Sequence, residues 1–167
     1  LSFAAFCVAA VVAVPLGVVA AVWPHSLCDQ AVMTLTLIGQ SAPTFWIGIM
    51  LILGFGLELR WFPIGGRGTL EHLVMPALTL GAFAMASIAR LTRSAMLDVL
   101  RLDYINTARA KGLSNGRVIW KHALKNAAIP VVTIMGLQFG ALLSGAVVTE
   151  TVFSWPGIGR LAIQGIY

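Results

Sequence analysis

The chain has 167 residues, of which 59% are hydrophobic and 10% charged, with a net charge of +5 and a mean hydropathy of +0.91. A water-soluble domain carries roughly 25% charged residues, so eleven basic and six acidic side chains are too few to coat a globule of this size. An ordinary cytosolic enzyme is excluded, and so is disorder, which requires low hydrophobicity and high charge.

Taken in chain order, the charge-free runs define the predicted elements. The first, 1–22, is almost entirely Ala, Val, Leu and Phe. It begins at Leu1 with no basic stretch before it, so it reads as a membrane span and not as a signal peptide, and the chain reads as part of a longer one. Cys7 and Cys28 lie 21 positions apart. A helix would separate them by about 30 Å, beyond disulfide reach. His25, His72 and His122 fall in separate segments, so no metal site is predicted. The second run, 31–57, gathers its polar residues in its first half and includes Pro43. The third run, 72–89, underlies a span predicted over 72–93, and the fourth span is 126–149; they contain Pro76 and Pro130. Each run is long enough to cross a bilayer, and inside lipid only a helix satisfies its own backbone. The fold class is therefore all-α integral membrane, a multi-span helical bundle.

Orientation follows from the basic residues. The segment 90–125 holds eight of the eleven, opposed only by Asp98 and Asp103, a balance of +6 that leaves −1 for the rest of the chain. The excess of Lys and Arg places loop 94–125 in the cytoplasm, and segments 58–71 and 150–167 on the outer side. This loop has a helical pattern of its own. Ser94 to Lys111 lacks Pro and Gly and carries Met96, Val99, Leu100, Tyr104 and Ala108 at helical spacing. Gly112 suits the C′ position of that helix, and Ser114 is placed to begin a second one bearing Val118, Ile119 and Ala123. The prediction is a cytoplasmic helix-turn-helix. On composition alone such a basic unit binds anionic lipid headgroups, docks a partner protein or presents a solvated face; a nucleic-acid role is disfavoured because the bilayer obstructs docking into a groove.

The wording of the loop is more specific. Tyr104-Ile-Asn-Thr-Ala-Arg-Ala-Lys-Gly-Leu113, followed by His122-Ala-Leu-Lys-Asn-Ala-Ala-Ile-Pro130, resembles the cytoplasmic coupling loop of bacterial ABC importer permeases, in the binding-protein-dependent peptide and nickel branch. Asn106, Thr107 and Ala108 stand where permeases at large have Glu-Ala-Ala. Gly112 has the expected spacing, and Lys125 replaces the usual Pro. Pro76-Ala-Leu-Thr-Leu80, Ala89 to Ser94, Gly136-Leu-Gln138, Glu150 to Gly157 and Gly159 look like the same branch in the same order. Against that family the chain lacks the first transmembrane helix with its periplasmic segment, and the last helix.

The resemblance implies a transmembrane permease subunit of the bacterial inner membrane that imports di- or oligopeptides. It implies a second, homologous or identical permease, two cytoplasmic ATPases that use ATP and Mg, and a periplasmic substrate-binding protein. On that reading Tyr104, Asn106, Thr107, Ala108, Arg109, Ala110, Lys111, Gly112 and Leu113 form the ATPase-coupling element. Arg109 and Lys111 then face either acidic groups of the ATPase or lipid headgroups. The chain has no G-x-x-x-x-G-K-[ST] and no nucleophile motif, so it is expected not to be an enzyme and to bind no cofactor. Gln40, Ser41 and Gln138 are candidate pathway residues, with an interhelical hydrogen bond as the equal alternative for each glutamine. Glu150, Trp155, Pro156 and Gly157 are a candidate periplasmic gate, or Glu150 is a helix-end charge. Gly136, Gly140 and Ser144 repeat every four residues, which predicts close helix packing. Two other functions stay open on the residues: an ion-coupled carrier, disfavoured because the spans have no ionisable residue near their centres, and a scaffold whose basic loop binds lipid.

Overall fold

The computed structural model describes residues 1–144 and 146–165; the end of the predicted outer segment 150–167, residues 166 and 167, lies outside them. Among the described residues the regular structure is all helical, without strands. Helix α1 (Ser2–Val22) is followed by α2 (Leu27–Ser41) and α3 (Thr44–Leu51), the latter continued by a π-helical turn, Ile52–Glu58. Then come the long α4 (Glu71–Leu100), α5 (Asp103–Ala110), and α6 (Asn115–Arg117). A second π-helical turn, Val118–Ala123, leads into α7 (Leu124–Ser144). The short helices α8 (Ala146–Val152) and α9 (Ile158–Gln164) complete the order. Among the described residues, Ser2–Val22, Glu71–Leu100 and Asn115–Ser144 are each long and apolar enough to cross a membrane.

The predicted second span is not one straight helix. Leu27–Ser41 and Thr44–Glu58 are bent by 112° at the break between them. Proline disfavours the helical conformation in the residue before it, and Ala42, preceding Pro43, is extended at φ −74°, ψ 134°. Pro15, Pro76 and Pro130 are carried inside α1, α4 and α7.

Helix α4 is the hub, packing against α1, α2, α3, α7 and α8. Its seam with α1 is built from small residues. Ala5, Ala9, Ala13 and Gly17 recur every four positions on α1, and all are buried. A Cβ on Gly17 would lie 2.6 Å from the Ala89 carbonyl oxygen and from the Thr92 Cβ. A Cβ on Gly81 would lie 2.9 Å from the Ala5 carbonyl oxygen. Matching Ala5 to Gly81 and Gly17 to Thr92 makes the two helices parallel. Helix α7 runs the other way, since the Ser2 hydroxyl near the start of α1 donates to the Leu142 carbonyl near the end of α7 at 3.0 Å. Phe6 and Phe139 stack edge-on there, with centroids 5.1 Å apart.

Helix α2 is held against α4 by charge. Arg93 Nε and Nη2 donate to the two carboxylate oxygens of Asp29, at 2.5 and 2.7 Å. The Asp29 side chain is only 5% exposed. The same carboxylate accepts from the His25 backbone N–H at 2.9 Å, and the Asp29 N–H donates to the Ser26 hydroxyl at 3.2 Å. One aspartate thus serves both the α2 N-terminus and the ion pair, where its negative charge also complements the helix dipole. At the other end of α2, the Gln40 amide reaches the Ser87 hydroxyl at 3.5 Å.

The predicted Gly136–Gly140–Ser144 seam is not where the close packing occurs. A Cβ on Gly136 or Gly140 meets nothing within 4 Å, and Ser144 is exposed. The i, i+4 spacing makes a smooth face, but a face is filled only where another helix reaches it.

Two consequences are measurable in thermal unfolding. Alanine normally stabilises a helix over glycine by about 0.8–1.0 kcal/mol; Gly136→Ala is expected to follow that rule. Gly17→Ala is expected to reverse it, costing about 1–3 kcal/mol through overpacking. Removing one partner of the buried ion pair, Asp29→Ala or Arg93→Ala, is expected to cost about 3 kcal/mol, and the double replacement much less than the sum. Additive losses would show that the pair is not coupled.

Candidate functional site

The basic segment begins as a continuation of the third span. Helix α4 runs unbroken to Leu100, past the predicted boundary at 93. The single helix expected over 94–111 is interrupted at Arg101–Leu102, where Leu102 is extended at φ −75°, ψ 145° and starts a new helix. Asp103 in the first turn of α5 and Arg109 in its last turn both oppose the helix dipole.

Helix α5 keeps two side chains inside and presents the rest. Ile105 and Ala108, three residues apart, are buried in the main apolar cluster with Val118 and Ala123 of the returning arm. Tyr104, Asn106, Thr107, Arg109, Ala110, Lys111 and Gly112 are exposed, and Leu113 is half-buried. The turn is a complete Schellman closure: Gly112 N–H donates to the Arg109 carbonyl at 2.9 Å, and Leu113 N–H to the Ala108 carbonyl at 3.3 Å. Gly112 has φ +79°, a conformation that residues with a Cβ adopt at a cost. Ser114 occupies the N-cap position of α6 but makes no side-chain cap bond.

The two arms are clamped by side chains as well. Asn126 Nδ2 donates to the Tyr104 hydroxyl at 2.7 Å, and that hydroxyl donates to the His122 carbonyl at 3.3 Å. Tyr104, at the start of α5, is thereby tied to the start of α7. The exposed surface of this unit also includes Trp120, 51% exposed, which the sequence reading passed over because it matches no apolar period.

At the end of the bundle opposite the basic unit, the Glu150–Gly157 segment is a folded knot. Glu150 is buried; its Oε2 accepts from the Arg160 N–H at 3.0 Å, and its backbone carbonyl accepts from the Trp155 N–H at 2.8 Å. The carboxylate lies so close to Gly157 and Gly159 that a Cβ on Gly157 would overlap it. It therefore caps α9 from eight positions before the helix starts. Glu150 thus closes a helix end within the same segment that carries Trp155, Pro156 and Gly157. The anchor of this knot is Phe153, 1% exposed, which was not singled out from the sequence. Its ring meets Gly48 of α3, and its carbonyl accepts from the Gly66 N–H at 2.9 Å. The nearby glycines of the 58–71 segment were the available signal, since a backbone approach this close requires them.

The candidate pathway residues are not brought together. Gln40 is bonded to Ser87 across α2 and α4, Ser41 is exposed beside the bend, and Gln138 is buried on α7. The Asp29–Arg93 pair was also missed, because its partners are 64 positions apart. The Ser26-x-x-Asp29 spacing of a capping box was the one local hint.

Comparison with known proteins agrees with this architecture. The chain is 47% identical to the di/tripeptide transport system permease protein DppB of Pseudomonas aeruginosa (strain UCBPP-PA14), covering 99% of the chain and 58% of that protein. It is 50% identical to the glutathione transport system permease protein GsiC of Escherichia coli (strain K12), covering 90% of the chain and 49% of that protein. The chain thus spans about half the length of the curated relatives it matches. Residues 13–167 match the family described as binding-protein-dependent transport system inner membrane component. With nearly its whole length inside that match, and with a helical membrane bundle to correspond, the chain belongs to this family of inner-membrane transport permeases.

Proposed function

We propose that this chain forms part of the translocation pathway of an ATP-driven importer for di- or oligopeptides, and that its 94–125 unit couples the pathway to ATPase subunits. The permease is not itself an enzyme. ATP and Mg are used by two separate cytoplasmic ATPases, a second permease completes the pathway, and a periplasmic binding protein delivers cargo to the outer face. The relatives named for di/tripeptide and glutathione transport support a peptide-like cargo.

The observation that carries this reading is the rigidity of the cytoplasmic unit. A coupling element must be stiff, must expose a surface for a partner, and must be joined to spans that move. Here the Gly112 turn is closed by two backbone bonds, Ile105 and Ala108 are packed into the core, and Tyr104 is tied to Asn126. Helix α4 enters the unit directly and α7 leaves it. Exposed Leu102, Tyr104 and Trp120, with basic Lys111, Arg117 and Lys121 around them, offer the aromatic-plus-cation surface on which protein interfaces concentrate their energy. A force on α5 therefore reaches α4 across the short Arg101–Leu102 break and α7 through the Tyr104–Asn126 bond. In this scheme ATP-driven closure of the ATPases pushes α5 and switches the pathway from inward-facing to outward-facing.

The test is reconstitution of the full-length permease with its ATPases and binding protein in vesicles. Gly112→Val places a β-branched residue where φ is +79°, at a local cost of about 1–2 kcal/mol. It is expected to lower ATP-dependent peptide uptake about tenfold, and Ala108→Glu to do the same by expelling a buried position. Unchanged uptake in both variants would overturn the coupling assignment. Uptake driven by an imposed ion gradient without ATP would indicate a carrier instead.

A further inference from the structure

Two adjoining hollows of about 420 and 330 Å³ lie where α1 and α4 meet α5, and Val22, Leu100 and Arg109 line both. The first adds Leu97, Arg93, Arg101 and His25, and the second adds Trp23. The charges in this groove are not equivalent. Arg93 is committed to Asp29 through two hydrogen bonds. Among the described residues, Arg101 and Arg109 have no ion-pair partner, and neither Asp98 nor Asp103 lines the groove. Two free guanidinium groups and an imidazole thus share one concavity with apolar walls.

Its level is set by the helices that form it. Val22 is the last residue of α1, and Leu97 and Leu100 belong to the last turn of α4. Both helices end on the side that the excess of Lys and Arg assigns to the cytoplasm. Trp23, 59% exposed, lies at the same level, where indole rings settle among lipid headgroups. Basic pockets between spans on the cytoplasmic side hold anionic headgroups. We propose that the Arg101–Arg109 groove is a binding site for the phosphate headgroup of an anionic inner-leaflet lipid, with the acyl chains running down past Leu97, Leu100 and Val22. A free anion would have no use for those apolar walls. Lys111, Arg117 and Lys121 do not line the groove and remain for the carboxylates of a docked ATPase. Of the two partners open to Arg109 from the sequence, lipid is therefore the one its position favours, while Lys111 remains with the coupling surface.

The experiment measures lipid affinity of the full-length permease without its ATPases, by native mass spectrometry with phosphatidylglycerol and phosphatidylcholine as probes. It does not depend on whether uptake is ATP-driven, so failure here and failure of the transport reading are separate results. A basic side chain at an anionic surface contributes roughly a fivefold change in affinity, so the paired variant R101Q/R109Q is expected to bind phosphatidylglycerol about 25-fold more weakly. The charge-matched variant R117Q/K121Q, altered outside the groove, is expected to keep wild-type affinity, and phosphatidylcholine to bind weakly to all three. Equal losses in both double variants would reduce the effect to diffuse attraction and overturn the site. Displacement of the lipid by millimolar inorganic phosphate would make the groove a free-anion site and overturn the proposal. Unchanged lipid affinity in R101Q/R109Q would overturn it equally.

Discussion

The close approach of α1 to α4 is the constraint on which the remaining structure depends. Lipid tails are as apolar as leucine, so two spans gain nothing by merely hiding hydrophobic surface from the membrane; they associate through tight van der Waals contact and scarce polar bonds. Ala5, Ala9, Ala13 and Gly17 remove the side-chain bulk that would hold the helices apart, and Gly81 does the same from the α4 side. The seam leaves α4 at the centre, with its other faces free to receive α2, α3, α7 and α8. Polar bonds then fix what packing leaves loose: the Asp29–Arg93 pair at the cytoplasmic end of α2 and Gln40 with Ser87 towards its other end.

That arrangement joins the two ends of the molecule through one rod. Helix α4 has 30 residues, which is about 45 Å of helix. At its outer end Thr79 packs beside Gly48, which also meets Phe153 of the knotted loop. At its inner end it is joined to the helix-turn-helix by the two-residue break at Arg101–Leu102. The outer loop and the cytoplasmic unit therefore contact the same rigid element, a physical basis for relaying a displacement from one face to the other. The 112° break after Ser41 interrupts the α2–α3 path, so α4 and α7 carry the direct connection.

Much of the cytoplasmic unit was legible because its determinants are local. A glycine following a helical pattern closes a Schellman turn through bonds that span six residues, and Gly112 does so. Ala108, Val118 and Ala123 lie on the apolar period expected for their helices and are buried accordingly, whereas Tyr104 of the same pattern is exposed and its neighbour Ile105 is buried instead. The misreadings share a different origin. Gly136 and Gly140 have the spacing of a packing seam but no neighbour within 4 Å, whereas the equally regular Ala5–Ala9–Ala13–Gly17 stripe was read only as part of an apolar run. Periodicity identifies a smooth face and is silent on which face another helix will meet. Glu150 and Asp29 each cap a helix and are buried, a burial that no local pattern announces. Their partners, Arg160 and Arg93, come into range only after the chain has folded back.

The amino-acid sequence specifies an all-helical membrane bundle with one strongly basic loop unit, because burial of an uncharged backbone in lipid depends on composition along the chain and hardly at all on its path. It also determined the turn at Gly112 and the family membership carried by the loop wording. Tertiary structure alone decided which small-residue stripe became the seam, that the second span bends, that Glu150 closes a helix end, and that Arg109 borders a groove with Arg101. Each of these depends on distances between residues far apart in the chain, and helix periodicity sets directions around an axis without setting the distance to the next one.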